Sequence, residues 1–249
     1  MPGGVRNTDN LRTRNHLDGD QYHPTRQTDG PVVQAYGICS MDLLADAHPD
    51  PRVVPDRVRL PLAFDPARLA ADLAALGEAW TAHYVRQNYA GDWGVIPLRA
   101  PKGETHPIRM IYADPSQPDY VDTPALQAAP YFREVLASFR TTLFAARLMR
   151  LAPGSVIKEH TDVGLEFEEG LARVHVPVLT NPDVEFVLNG SRVVLAAGSC
   201  WYLRLADPHR VANFGPTDRV HLVVDLKVNG WLTALVRAAA RGVSAIPVE

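Results

Sequence analysis

The stretch from Leu143 to Val228 constrains the fold more than any other part of the chain. Short β-rich runs there are cut by turn residues: Pro153-Gly154, Asn181-Pro182-Asp183, Asn189-Gly190, Ala197-Gly198 and Gly215-Pro216-Thr217-Asp218. The runs between them include Arg173–Leu179, Val184–Leu188, Arg192–Leu195, Cys200–Leu203 and Arg219–Val228. Asn189-Gly190 predicts a tight hairpin, because both residues tolerate the backbone angles of a two-residue turn. Many short antiparallel strands at this spacing predict a mainly β fold with flanking helices, a sandwich or small barrel such as a jelly roll.

The preceding region reads differently. Arg59–Phe64 predicts a strand. Asp65 and Pro66 then supply a helix cap and a first helical residue. Leu69, Leu73, Leu76 and Trp80 share one helical face, which predicts a helix to about His83. Asn88–Gly103, rich in Gly and aromatic residues, predicts an active loop or short hairpin. Thr123-Pro124 marks another helix start, and a helix is expected over Tyr131–Phe139. Asn229 is expected to cap a last helix, with Trp231, Leu232 and Leu235 packing on the barrel. Residues 1–34 hold no Ile, Phe or Trp and predict a disordered tail, since too little apolar surface is present to offset ordering entropy. Tyr36–Cys39 predicts a short first strand, and Pro51 and Pro55 punctuate a loop. The expected organisation is a tail over 1–34 and a single domain over 35–249: a helical and loop part to 142, a β core over 143–228, and a C-terminal helix over 229–249.

Composition narrows the function classes. The 249 residues are 46% hydrophobic, with a formal net charge of −3. No broad basic field exists to attract a polyanion, so nucleic acid is not an expected partner. No apolar run reaches the roughly 18 residues that span a bilayer, and no secretion signal opens the sequence. The two cysteines, Cys39 and Cys200, lie far apart and form neither a CxxC motif nor a disulfide framework. A reducing cytoplasm is the expected setting.

Chemistry concentrates at His160-Thr161-Asp162. In an extended strand, residues two apart point to the same side, so both side chains can converge on one ion. With nine histidines in the chain, a tripeptide of this type also occurs by chance, and a solvated turn is the competing reading. His209 supplies context downstream. Two imidazoles and one carboxylate cover one face of an octahedral metal and leave the opposite positions open, the facial triad of non-haem Fe(II) oxygenases. A structural zinc site would close all four positions. Arg219 opens the final strand. Inside a barrel its guanidinium needs an anion, and a dicarboxylate would serve; pairing to Asp207 or Asp218 is the alternative. Arg173 and His175 alternate with Val174 and Val176, giving one cationic strand face that either lines an anion-binding cavity or faces solvent. His221 shares parity with Arg219 and either lines the cavity or, the reading preferred here, packs as a hydrogen-bonded core histidine.

These residues fall within segments that resemble one known family. Arg150-Leu151-Ala152-Pro153-Gly154-Ser155, His160-Thr161-Asp162, Arg173-Val174-His175-Val176-Pro177, Asn181-Pro182-Asp183-Val184-Glu185-Phe186, Gly198-Ser199-Cys200-Trp201-Tyr202-Leu203, Pro208-His209-Arg210-Val211-Ala212-Asn213 and Asp218-Arg219-Val220-His221-Leu222-Val223-Val224-Asp225 follow its order. The stretch from Arg147 to Asp225 is similar to the aspartyl/asparaginyl β-hydroxylases, 2-oxoglutarate-dependent oxygenases, and among them to the bacterial members that include proline hydroxylases. The resemblance implies a double-stranded β-helix (a cupin-like jelly roll), Fe(II) held by His160, Asp162 and His209, 2-oxoglutarate as co-substrate and O2. It further implies that Arg219 holds the distal carboxylate of 2-oxoglutarate, with Arg173 and His175 lining that end. Gly164–Gly170 stands as an inserted acidic loop where some members are shorter.

Three other readings share the residues. A metal-dependent hydrolase would use the same triad to activate water. A non-catalytic cupin-like module would bind a small acid without turnover. A three-histidine cupin dioxygenase would want a His-x-His pair, which is absent. Trp93 is the candidate substrate contact, with Tyr84 and Arg99 as further candidates; Trp80 and Trp201 read as core. Gly164–Gly170 is either a lid or a solvated loop. The expected substrate is a small molecule or peptide: an amino acid, an amino-acyl group, a peptide or a protein side chain.

Overall fold

A computed structural model describes residues 54–112 and 119–242. The expected tail, the strand at Tyr36–Cys39 and the loop at Pro51 lie outside the described residues. The elements in chain order are β1 (Arg57–Ala63), α1 (Pro66–Leu76), β2 (Thr81–Ala82), β3 (Tyr89–Ala90), β4 (Trp93–Pro101), α2 (Pro107–Met110), β5 (Tyr120–Asp122), α3 (Pro124–Gln127) and α4 (Pro130–Ala137). There follow β6 (Leu143–Leu151), β7 (Val156–His160), β8 (Leu171–Leu179), β9 (Val184–Leu188), β10 (Ser191–Arg192), β11 (Ser199–Leu203), β12 (His209–Asn213), β13 (Arg219–Lys227) and α5 (Gly230–Ala240).

The strands form two sheets. The larger runs β1-β11-β8-β13-β6-β4-β2, with β5 added beside β4; the smaller runs β10-β9-β12-β7-β3. From β6 onward the chain steps back and forth between them: β6 in the larger, β7 in the smaller, then β8, the β9–β10 hairpin, β11, β12 and β13. Neighbouring strands within each sheet are antiparallel. That alternation makes the fold a double-stranded β-helix, or jelly roll. The β9–β10 turn is the expected one, with Asn189 at φ 49° and Gly190 at φ 69°.

The larger sheet is covered on both faces. β13 is buried along its length except at Lys227, which its Val- and Leu-rich sequence allows. Outward side chains such as Leu148, Val174, Tyr202 and Val224 pack against Leu69 and Leu73 of α1, Phe132 of α4, and Leu232 and Val236 of α5 in one apolar cluster. Each fully buried Leu or Phe there contributes about 1.5–3 kcal/mol. Inward side chains, among them Trp93, Leu151 and Leu203, meet Ile157, Phe186 and Val211 of the smaller sheet in a second, smaller cluster. The outer layer supplies most of the apolar burial, which leaves the space between the sheets for polar groups.

Two upstream expectations need correction. α1 stops at Leu76, not near His83. Gly77 adopts φ 62° and the chain turns, so Trp80 reaches the core from a loop and 81–82 form an edge strand on β4. Asn88–Gly103 is not a loop. Its centre is the nine-residue strand β4, buried through Trp93–Ile96; aromatic and branched residues there served sheet packing rather than loop flexibility. The cap expectations hold: the side chains of Asp65, Thr123 and Asn229 each accept a backbone N–H of the helix they precede.

The first residues of α4 have no cap of their own, since Ala129 precedes Pro130. Asp72 of α1 fills the gap from outside, accepting the N–H groups of Tyr131 (2.7 Å) and Phe132 (2.9 Å). Asp72→Ala is therefore expected to strand two buried donors and lower stability by roughly 1–3 kcal/mol. Thermal unfolding should register a fall in Tm of about 2–4 °C for each kcal/mol lost. An unchanged Tm would remove this cross-helix cap from the account.

Candidate metal centre

The centre is built on the pairing of β7 with β12, which sets His160 opposite His209. The register slips between that pair and the next, Val211 opposite Ile157. Three steps on β7 thus match two on β12, a β-bulge at Lys158–Glu159. Strict alternation would turn His160 to the side opposite Ile157; the extra residue restores it to the interior, a common use of bulges beside functional sites. The two rings lie with centroids 4.3 Å apart. Asp162 falls two residues beyond the end of β7, not within it. Its direction comes from tertiary contact: its N–H donates to the Leu205 carbonyl at 2.8 Å.

One ligand atom from each of His160, Asp162 and His209 lies within 4.8 Å of the others. Both imidazoles face a backbone carbonyl through Nδ1, His160 to Lys158 at 2.7 Å and His209 to Asp207 at 3.0 Å. A carbonyl only accepts, so each Nδ1 carries a proton and Nε2 is the nitrogen left to bind a metal. Burial pushes the His209 pKa down and keeps the ring neutral. Two imidazole nitrogens and one carboxylate oxygen suit a divalent first-row metal.

Behind Asp162 runs a buried chain of charges. Arg173 donates to Asp162 Oδ2 and grips Asp225 through Nε at 2.6 Å and Nη2 at 3.0 Å. Arg147 reaches the same Asp225 Oδ2 at 2.5 Å and the Ile111 carbonyl at 2.9 Å. Burial alone would raise the Asp225 carboxyl, but Arg173 and Arg147 hold it below the usual carboxylate range. Removing one member of such a buried pair costs about 3–5 kcal/mol, because its partner's charge stays behind. The network leaves Asp162 Oδ1 on the histidine side, 3.6 Å from His160 Nε2.

Arg219, His175 and His221 sit deeper between the sheets, each at most 5% exposed. No carboxylate among the described residues offsets Arg219, and burial pulls its pKa down to about 9. Its Nη2 donates to His221 Nδ1 at 2.8 Å, while its Nε has no partner among the described residues. His175 and His221 approach through their Nδ1 atoms at 3.2 Å, and neither Nε2 has a partner among the described residues. Burial, with Arg219 next, drives both pKa values well below the ordinary histidine range. Neither Asp207 nor Asp218, the alternative partners expected from sequence, pairs with Arg219.

A small inner chamber of about 40 Å³ is lined by all three metal-ligating candidates together with Arg173, His175 and Arg219. A larger mouth of about 290 Å³ opens from the same His160 and Asp162, bordered by Arg147, Tyr84, Tyr112 and Phe144. Trp93 lines the inner chamber and stacks flat on His83, with centroids 3.6 Å apart. Tyr84 borders the mouth. Arg99 does not, because it pairs with Asp122 at the β4–β5 edge. Trp201 packs in the inner core. In Gly164–Gly170, Leu165 and Phe167 are buried and Glu168 pairs with Arg204 at 2.6 Å, so the segment is pinned and forms part of the mouth's wall. Sequence reading did not single out His83, Arg147 or Asp225. Asp225 had a signal, a lone acid within an apolar strand run; His83 had none, since its loop is placed by the stack on Trp93.

The aspartyl/asparaginyl beta-hydroxylase family matches the chain over residues 68–228. An L-proline cis-4-hydroxylase of Rhizobium meliloti (strain 1021) is 27% identical over 177 residues, covering 70% of this chain and 61% of the relative. An L-proline cis-3-hydroxylase 1 of a Streptomyces species is 28% identical over 173 residues, covering 67% and 58%. The chain thus spans about three fifths of the length of these curated relatives. A solved oxidoreductase of the 2OG-Fe(II) oxygenase family from Burkholderia pseudomallei aligns with a TM-score of 0.43 at 19% identity, covering 66% of this chain and 79% of that one.

Burial, and then Arg147, lowers the His83 pKa to about 3, against about 6.5 in an unfolded chain. Between those values the unfolded state binds the extra proton, so stability falls as pH drops below about 6.5. His83→Phe keeps a ring on Trp93 and removes that titration. Its Tm should fall less between pH 7.5 and pH 5.5 than the wild-type Tm does; equal falls would show that His83 does not contribute to acid sensitivity.

Proposed function

We propose that this chain, which belongs to the aspartyl/asparaginyl β-hydroxylase family, is an Fe(II)- and 2-oxoglutarate-dependent dioxygenase that hydroxylates an unactivated C–H bond of an amino acid or amino-acyl substrate. The observation that carries this reading is one chamber shared by a His-Asp-His cluster and a buried guanidinium without a counter-charge among the described residues. His160 Nε2, His209 Nε2 and Asp162 would hold Fe(II), a set that leaves coordination positions free. When bound, the metal supplies the oxidation in which O2 and 2-oxoglutarate yield hydroxylated product, succinate and carbon dioxide.

The chain's own residues do the positioning. Arg173 ties back Asp162 Oδ2, fixing the carboxylate's orientation toward the two imidazoles. Arg219 would receive the distal carboxylate of 2-oxoglutarate. That anion meets a charge the fold leaves uncompensated, and fixing both its ends removes orientational freedom before reaction. His175, neutral, lines the same chamber. Phe186, Trp93 and Leu205 exclude water around it.

Charge balance bears on the substrate. Three guanidiniums, Arg147, Arg173 and Arg219, share the interior with two carboxylates, the half-buried Asp162 and the buried Asp225. A divalent metal and a dianionic co-substrate neutralise each other, which leaves one positive charge at the junction of chamber and mouth. A substrate carboxylate closes that balance. The relatives named as L-proline hydroxylases make free L-proline the first compound to try.

Succinate release with Fe(II) and 2-oxoglutarate is expected for some member of a panel of amino acids and peptides, with one oxygen atom gained in product mass. Absence of succinate across that panel would overturn the reading. His160→Ala should lose both turnover and Co(II) binding in a spectroscopic titration. Arg219→Ala should raise the apparent 2-oxoglutarate requirement about thirtyfold or more, matching the roughly 2 kcal/mol lower bound for truncating a buried charge partner. An unchanged requirement points to a different anion anchor.

A further inference from the structure

A second cavity, of about 300 Å³, lies behind the inner chamber, between the β8–β9 loop and the residues that follow β10. His221 and Phe186 line it, and Phe186 also lines the inner chamber. Arg219 borders only the inner chamber and His221 only the rear cavity. The Arg219–His221 hydrogen bond of 2.8 Å therefore lies within the partition between two spaces. Phe186 completes the partition: the Arg219 guanidinium sits 5.9 Å from its ring centroid, and the ring lies parallel to His209 at 6.4 Å.

The tautomers follow from the partners. Arg219 has only donors, so His221 Nδ1 accepts and bears no proton. His175 must then donate its own Nδ1–H to that atom, and the His221 proton resides on Nε2, a buried atom with no partner among the described residues; the His221 side chain is the one that borders the rear cavity. His221 thus does two separable things. Its Nδ1 lone pair holds Arg219, and the far half of its ring occupies space that would otherwise join the chamber to the cavity.

We infer that His221 sets the length limit for the 2-oxo acid: it is a positioning residue for Arg219 and, with Phe186, the wall that rejects a co-substrate longer than 2-oxoglutarate. This inference rests on the function proposed above. The inner chamber alone is small, and the rear cavity offers ample room for an added methylene once the wall is shortened. Discrimination over one methylene in a walled site typically amounts to about 10–200-fold.

The two roles part in two variants. His221→Asn retains an acceptor in place of Nδ1 but lacks the outer half of the ring. His221→Phe retains the wall but lacks the acceptor. Binding of 2-oxoglutarate and 2-oxoadipate to the Co(II)-loaded full chain, followed anaerobically by tryptophan fluorescence, reads both without turnover. Wild type is expected to favour 2-oxoglutarate at least about tenfold. In His221→Asn that preference should shrink toward parity through tighter 2-oxoadipate binding, with 2-oxoglutarate affinity little changed. His221→Phe should weaken both acids and keep the preference. Adding Ala196→Phe to His221→Asn, at an exposed position on the rear cavity's rim, should refill the space and restore discrimination.

Failure of wild type to bind either acid would overturn the proposed function itself. Equal wild-type affinity for the two acids, which needs no variant to fold, would overturn the length limit alone. So would a His221→Asn chain that binds 2-oxoglutarate and keeps the full wild-type preference.

Discussion

The whole site depends on one cross-strand pair. His160 and His209 face each other across β7 and β12 only because the bulge at Lys158–Glu159 shifts the phase of β7 by one residue. Side-chain direction in a strand has a period of two, so the shift is all-or-none. Without it, His160 would point away from His209 and no third ligand could complete the cluster. The carbonyls of Lys158 and Asp207 then present both rings with Nε2 foremost. Backbone geometry thus decides which nitrogen is available, two residues from each ring.

That arrangement is tolerable because stability resides elsewhere. The outer face of the larger sheet and the helices on it bury an extended apolar layer, in which the buried Asp72 is held by two backbone N–H groups of α4. The layer between the sheets holds Arg147, Arg173, Asp225, Arg219, His175 and His221, all costly to desolvate. Arg147, Arg173 and Asp225 offset one another, with Asp162 at the chain's end. Arg219 is not offset by any described carboxylate, and its lowered pKa expresses the same deficit. Arg219 and Asp162 line the same chamber, so an anion bound there as proposed would meet the cation that the described carboxylates leave unbalanced.

The spaces follow the same logic in order from the surface. The aromatic mouth, the His-Asp-His cluster and the narrow inner chamber succeed one another, and beyond Phe186 and His221 lies the rear cavity, rimmed by the exposed Arg192, Val194 and Ala196. Neutral histidines, rather than charged ones, line the deep end. Burial and Arg219 both oppose their protonation, so they can act as directional hydrogen-bonding groups without adding to the positive charge. Access is set at the mouth by Tyr84, Tyr112 and the pinned segment after Asp162, and depth is set by the Arg219–His221 partition.

Sequence by itself proposed His160, Asp162, His209 and Arg219 as candidates, and it determined the strands β8, β9, β11 and β13, the Asn189-Gly190 turn and the caps at Asp65, Thr123 and Asn229. Those features are local: turn chemistry, capping and period-two patterning act over a few residues. Tertiary structure decided the rest. The length of α1 was settled at Gly77 by a turn that helical periodicity alone does not register, and Asn88–Gly103 became a strand because a partner, β6, was there to pair with it. The bulge that turns His160 inward depends on register with β12, far along the chain. Asp162 takes its direction from Leu205, and Arg173 its partners from Asp225. Contacts between distant segments have no local signature, so only the folded chain states which charge meets which.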